Sequence, residues 1–263
     1  MFASPGAIAI STKFFTIYWY GICIALAFLA GQFVVIKTAN KEYKGEKLTD
    51  TIYELAFWAL LGGIIGARLY YVILNSSYYI HNPAEIIMLN HGGISIHGGI
   101  LGGMITTYIY AKKNDVDFWK FADLYALGLP IAQAIGRWGN FFNSEAFGLP
   151  TNLPWGVYIP KDLRPVLYKP FDFFHPTFLY ECIWDILIFF VLYFVIKKYF
   201  FKNKGVLFFC YLILYSAGRI AIEIIRTDSV LNIFGIPVAI WISIIIISIS
   251  LIFLLKKIRQ YSP

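Results

Sequence analysis

The sequence predicts an all-α polytopic membrane protein of about seven transmembrane helices with a small extracytoplasmic loop region. Three observations carry that expectation. Of the 263 residues 59% are hydrophobic and 19% aromatic, yet only 14% are charged, whereas soluble domains run to about 25% charged. Seven apolar runs each approach the ~20 residues that a spanning helix needs. Lysines and arginines collect on alternate connections between those runs, the pattern of membrane topology. The net charge of +7 does not point to nucleic acid, because the basic residues form short clusters between apolar runs and not one basic face.

The runs lie at 15–37, 51–75, 94–112, 121–140, 176–197, 205–225 and 234–255. The first is too long for a signal-peptide core and lacks a small-residue cleavage pattern, so it is expected to stay as an anchor. The third and fourth are the richest in Gly and polar residues. Lys37, Lys41, Lys44 and Lys47 separate runs one and two, and Lys112, Lys113 and Lys120 separate three and four. Lys197, Lys198, Lys202 and Lys204 follow run five, and Lys256, Lys257 and Arg259 end the chain. Fourteen of the 22 cationic residues therefore share one side, against Lys13, Lys161, Arg164, Lys169 and Arg226 on the other. The positive-inside rule then predicts an outer N-terminus and a cytoplasmic C-terminus, consistent with an odd number of spans.

The whole chain reads as a single integral membrane domain. Its one long outer connection, 141–174, holds Pro150, Pro154, Pro160, Pro165 and Pro170. That much proline predicts an irregular or partly stranded head and not a helix. Cys23, Cys182 and Cys210 are scattered through apolar segments, with no spacing for zinc or a disulfide framework. No internal repeat appears, which weakens the case for a transporter built of repeated halves.

Three arginines remain, Arg68, Arg137 and Arg219, all within or at the margin of predicted spans. An intramembrane arginine costs at least ~2.5–3.5 kcal/mol unless it finds partners or water. The predicted orientation puts all three in the outer half, with His97 at the outer start of run three and Tyr20 in the outer part of run one. Guanidinium groups bind phosphate bidentately and stay charged, and a phosphodiester at headgroup depth belongs most naturally to a phospholipid. The structural alternative is that the arginines pair with Glu145 and Glu223. In "GRIAIEIIR", Arg219, Glu223 and Arg226 share one helical face. The stretch "AIGRWGNFFNSEAFGLP" closes run four with Arg137, Asn140, Asn143 and Glu145. In "HGGISIHGGILGGM", the four-residue spacing of Gly98 with Gly102 and of Gly99 with Gly103 predicts close helix contact. The glycines flanking His97 also expose backbone to a ligand.

These residues carry a resemblance to the prolipoprotein diacylglyceryl transferases. "GRWGNFFNSEAFG" (136–148) is similar to that family's signature, supported in order by "WYG" (19–21), "SIHGG" (95–99), "HPTFLYE" (175–181) and "YSAGRIAIEIIR" (215–226). Phe178 departs from members that carry glutamine there. The resemblance implies a multi-pass enzyme of the bacterial cytoplasmic (inner) membrane, acting near the outer leaflet. Such an enzyme transfers the diacylglyceryl group of phosphatidylglycerol to the lipobox cysteine of a preprolipoprotein. It implies that Arg137 binds phosphatidylglycerol, that Arg219 is a second required arginine, and that Tyr20, His97, Asn140, Glu145 and Gly148 matter to activity.

The chemistry fits that set. Two arginines would stabilise the charge growing on a departing phosphate. A thiol of pKa near ~8.5 needs help to ionise, for which His97 is the first candidate base and Glu145 or Glu223 the alternatives. Tyr20 would orient the headgroup, with Asn140, Asn143, Gly148, Arg68 and Glu223 around the lipid. No metal set or cofactor motif is expected. The alternatives are a transporter or flippase of an anionic amphiphile and a non-catalytic scaffold. Neither explains a polar cluster confined to the outer end.

Overall fold

The computed structural model describes residues 1–44, 46, 48–88, 92–227 and 232–261; Lys47, one of the topology lysines, lies outside them. Long helices occupy all seven expected runs. They are α1 (Trp19–Glu42), α2 (Leu48–Leu74), α4 (Ile96–Lys113), α5 (Phe118–Phe142), the continuous α6 (Thr177–Phe190) and α7 (Lys197–Phe200), α8 (Val206–Glu223) and α9 (Val238–Tyr261); a short α3 (Ser76–His81) follows α2. One turn of π-helix, Val191–Ile196, joins α6 to α7. Five of these, α1, α2, α6–α7, α8 and α9, are long and apolar enough to cross a membrane, so the chain is a multi-pass membrane protein. The polar content of the other two explains their exclusion: α4 carries His97, four glycines, two threonines and two lysines, and α5 carries Lys120, Asp123, Gln133, Arg137 and Asn140.

The chain is mostly helical, as expected, and the outer connection 141–174 is partly stranded, as its prolines suggest. Short strands frame the helix ends: β1 (Phe2–Ala3), β2 (Ile8–Ser11), β3 (Thr16–Tyr18), β4 (Val157–Tyr158), β5 (Phe173–Phe174), β6 (Asn232–Ile233) and β7 (Ile236–Pro237). Helix α1 therefore starts at Trp19 and not at 15, because Thr16–Tyr18 pair antiparallel with Ile8–Ser11. For the same reason α9 starts at Val238: Ile233 pairs with Ile236 across the Phe234-Gly235 turn. Both turn residues have positive φ, 53° and 75°, a geometry that suits Asn-Gly and strains a phenylalanine by about 1–2 kcal/mol.

The chain packs as two compact units, 1–35 with 122–263, and 36–121. In the first, Ala126 and Leu127 of α5, Ile188 and Leu192 of the α6 run, and Leu207 and Tyr211 of α8 form one buried cluster. Helices α1 and α5 run antiparallel at close range, since a Cβ on Gly128 would meet the Gly31 carbonyl at 2.6 Å. At one end of this unit the buried Asp123 carboxylate accepts the Gly205 and Phe208 amides at 2.6 and 2.9 Å, satisfying N–H groups that the start of α8 leaves open. At the opposite end sits the proline-rich head. There β4 pairs parallel with β1 and antiparallel with β5, over a core of Phe147, Val157, Ile159, Phe174 and Phe178.

In the second unit α2 and α4 meet glycine on glycine. A Cβ on Gly102 would meet the Gly62 carbonyl and come within 2.9 Å of the Gly66 Cα; one on Gly98 would meet the Gly66 carbonyl and Tyr70. Gly99 and Gly103 have looser neighbours, the Gly63 carbonyl at 3.6 Å and the Ala59 carbonyl at 3.2 Å. The four-residue glycine spacing thus marks Gly98 and Gly102 as the contact. Gly102→Val is expected to lower the Tm of the detergent-solubilised protein by several degrees, overpacking of this kind costing about 1–3 kcal/mol. Gly136→Ala, where nothing lies within 4 Å of the new Cβ, is expected to leave Tm unchanged or raise it.

Candidate active site

Helices α5, α6 and α8, with Arg226 just past the end of α8, bring three arginines onto three carboxyl groups. Arg137 lies one turn before the end of α5, Glu181 and Asp185 face inward from the start of α6, and Arg219 and Glu223 occupy the last turns of α8. Glu181 is the hub. Its Oε1 accepts hydrogen bonds from Arg219 at 3.0 Å and from Arg226 at 3.1 Å, while Oε2 makes ion-pair contact with Arg137 at 2.7 Å. Asp185 Oδ2 stands 4.0 Å from Arg137 Nε. Glu223 pairs with Arg219 at 2.6 Å and lies 3.9 Å from Arg226 Nε, the one-face arrangement that "GRIAIEIIR" predicts.

Exposure separates the two signs of charge. The side chains of Glu181, Asp185 and Glu223 are 5%, 2% and 3% exposed, whereas Arg137 and Arg219 keep 19% and 21%. The carboxyl groups thus form a buried backing, and two guanidinium groups, which would otherwise repel each other, are held side by side with their edges accessible. Between them runs a narrow cleft of ≈ 10 Å³, lined by Arg137, Glu181, Trp184, Asp185, Tyr215, Gly218, Arg219 and Ile222.

The signature segment continues from Arg137 around the end of α5. Asn140 donates from Nδ2 to Glu145 Oε1 at 2.8 Å, so Glu145 partners Asn140, and Arg137 turns to Glu181 and not to Glu145. Ser144 and Ala146, on either side of Glu145, have φ of 53° and 52°, a left-handed conformation that costs non-glycine residues about 1–2 kcal/mol each. The loop is held there from two sides. Thr177 Oγ1 donates to the Ala146 carbonyl, Gly148 donates to the His175 carbonyl at 2.8 Å, and Leu149 donates to the Ile225 carbonyl at 2.8 Å. Gly148 is required for this fit: a Cβ there would come within 2.8 Å of the Ile225 carbonyl and 2.9 Å of His175 Cβ.

The Tyr20 ring lies over Gly139, where an added Cβ would approach Cδ2 to 2.7 Å. Tyr20 and Asn143 share a second, wide cleft of ≈ 650 Å³ with Ala7, Thr16, Ile17, Tyr18 and Gly21. Phe178 is buried against Phe141, Trp138 and Phe2, with ring centroids 5.2, 5.8 and 6.3 Å away, so that position packs the head and carries no polar role.

Tyr20, Arg137, Asn140, Asn143, Glu145, Gly148, Arg219 and Glu223 thus belong to the first unit, and His97 and Arg68 to the second. His97 is exposed on the first turn of α4, its ring centroid 6.3 Å from that of Tyr70. Arg68 takes a different role from the phosphate contact expected of it. Its five N–H groups donate to the carbonyls of Glu85, Ile86, Met88, Gly92 and Gly93, at 2.5, 2.9, 3.2, 2.5 and 2.6 Å. A guanidinium has five N–H donors, so none is left for a phosphate, and Arg68 ties down the connection that follows α3. Arg68→Ala is expected to lower the yield and Tm of the protein, the folded fraction keeping an unchanged KM for lipid. A raised KM at wild-type Tm would contradict that assignment.

The sequence reading did not single out Glu181 and Asp185. The available signal was two acids at i and i+4 inside the apolar run 176–197, as costly in a membrane as the arginines that did draw attention. Among the described residues no three His, Cys, Asp or Glu side chains converge to hold a metal ion.

A family model described as prolipoprotein diacylglyceryl transferase matches residues 7–256. Proteins named phosphatidylglycerol–prolipoprotein diacylglyceryl transferase are similar across most of their length. The one from Trichormus variabilis is 45% identical over 239 residues, covering 88% of this chain and 82% of that protein. That from Thermotoga maritima is 47% identical over 219 residues, covering 82% and 73%. That from Acaryochloris marina is 42% identical over 261 residues, covering 98% and 94%.

Proposed function

The chain belongs to the prolipoprotein diacylglyceryl transferase family, and from that premise we propose how its residues act. It is a transferase that moves the diacylglyceryl group of phosphatidylglycerol to the cysteine thiol of a prolipoprotein. The transporter alternative is superseded by family membership. The observation that carries the mechanism is the pair of partly exposed guanidinium groups of Arg137 and Arg219, held side by side by the buried Glu181. A lipid phosphate is their natural ligand.

In the proposed reaction the thiol sulfur attacks the glyceryl carbon that bears the phosphate. A C–S bond forms and the C–O bond breaks. The electron pair stays on the phosphate oxygen, and glycerol phosphate leaves. Arg137 and Arg219 stabilise the charge that grows on that oxygen. Asn140, Asn143 and Tyr20 orient the headgroup, Glu145 completes the polar rim, and the buried Glu223 backs Arg219. The thiol proton goes to a base, for which the sequence offers His97 first. A normal pH–rate profile in His97→Gln would exclude it as the base and turn attention to Glu145.

All seven long helices cross the bilayer in this reading. The lysine distribution puts the N-terminus and the arginine cluster on the outer side of the bacterial cytoplasmic membrane, where lipobox peptides of exported precursors arrive. Purified protein in phosphatidylglycerol liposomes, given a lipobox peptide, is expected to release glycerol phosphate and add a diacylglyceryl mass to the peptide cysteine. Neither product forming would overturn the reading.

A further inference from the structure

We propose that two phenylalanine-tipped hairpins, β2–β3 and β6–β7, seat the arginine end of the first unit in the headgroup–acyl boundary of a phospholipid bilayer. The proposal rests on the reading above only in taking the cluster's ligand to be a lipid phosphate. Among the described large hydrophobic residues, Phe14 and Phe234 are the most exposed, each at 93%. Each crowns a hairpin that runs into a membrane-crossing helix with no residue between: Tyr18 of β3 precedes Trp19 of α1, and Pro237 of β7 precedes Val238 of α9. The tips are therefore continuous with surface that lies in the membrane.

Both hairpins sit at the arginine end. Helix α1 runs antiparallel to α5, with Gly31 on Gly128 and Tyr20 on Gly139, so β2–β3 meets the end of α5 that carries Arg137. Helix α9 follows α8, whose last turns carry Arg219 and Glu223, so β6–β7 meets the same end. Phe234 holds a positive φ of 53° at a turn position that asparagine or glycine fills without strain. The turn geometry does not account for a phenylalanine there; an apolar partner for its ring does. Each neighbouring helix start adds a tryptophan, the residue favoured at membrane interfaces. Trp241 donates to the Ile233 carbonyl at 3.3 Å, and Trp19 stacks on Phe142 with centroids 4.8 Å apart. Lys13, beside Phe14, suits anionic headgroups.

The seating has a consequence for the site. Strand β3 leads within two residues to Tyr20, which lines the wide cleft with Thr16, Ile17 and Asn143. Insertion of the β2–β3 tip thereby sets the height of Tyr20 against the headgroups.

Spin labels at Phe14→Cys and Phe234→Cys, with Cys23, Cys182 and Cys210 replaced by Ala, test this in phosphatidylglycerol liposomes. Both labels are expected to collide more with oxygen than with a water-soluble nickel chelate, at a depth between that of a label at Ile249→Cys in mid-α9 and free label in water. Full nickel accessibility would overturn the proposal, as would shielding from both reagents, which would mean that a second copy or another protein covers the tips. Phe14→Asp with Phe234→Asp is expected to slow transfer about tenfold in liposomes, the penalty of charge in apolar surroundings, and to leave it unchanged in detergent. Equal loss in both media would overturn the seating role. Lipid depth at both labels with no transfer by the wild type would uphold the seating and remove the transferase mechanism.

Discussion

Arg137→Ala is expected to lower transfer by about 10²–10³-fold, the loss found when one donor to a developing anion is removed, while the protein stays inserted and folded. Arg137 touches the cluster through Glu181 Oε2 at 2.7 Å and Asp185 at 4.0 Å, and 19% of its side chain remains accessible. Removing it takes away one of two adjacent guanidinium groups and leaves Arg219 in place. Ground-state binding and departure of the phosphate should suffer together, with the larger part in kcat if charge builds up in the transition state. Arg137→Lys keeps the charge but loses the planar fork that can face phosphate and Glu181 at once, so only a minor recovery is expected. Single-turnover transfer to a lipobox peptide, read by mass spectrometry beside a thermal melt, separates this from misfolding. Wild-type turnover in Arg137→Ala would remove the residue from the mechanism.

Glu181→Ala is expected to be the most destabilising single change in the cluster. It takes away the carboxylate that Arg137, Arg219 and Arg226 share, and loss of one partner from a buried ion pair costs about 3–5 kcal/mol. Transfer should fall as well, because nothing then holds Arg137 and Arg219 together. Glu181 acts through the arginines, so its effect has a signature that lost packing would not produce. Adding Arg226→Ala to Glu181→Ala removes one of the three cations that shared the carboxylate and should recover part of the Tm, without recovering turnover. Glu181→Gln, which keeps an acceptor oxygen for Arg219, should melt closer to the wild type. If all three variants melt alike, Glu181 fills space and does not bridge charge.

The positions of the helices were legible because run length and apolarity are set residue by residue, and the glycines of "HGGILGG" announced a close contact, although not its partners Gly62 and Gly66. The strands of the head were legible as a partly stranded, proline-rich connection, but those at the helix starts were not. Thr16–Tyr18 and Phe234–Pro237 fall inside the apolar runs that their helices continue, so composition could not show where strand pairing replaces helix. At the site, Arg137, Asn140, Arg219 and Glu223 stood out as polar groups in apolar surroundings. Glu181 and Asp185 were equally out of place inside the apolar run 176–197, and Glu181 is what binds the arginines together. Arg68 shows the opposite limit. An intramembrane arginine announces that it needs partners, but sequence cannot tell a phosphate from five main-chain carbonyls that a loop brings to it.

Binding of phosphatidylglycerol to the purified protein, measured by native mass spectrometry for wild type, Arg137→Ala, Arg219→Ala and the double variant, tests the paired-arginine clamp most directly. The clamp predicts weaker retention in each single variant, still weaker retention in the double, and no matching loss for diacylglycerol, which has no phosphate. Equal retention of phosphatidylglycerol by all four proteins would contradict it.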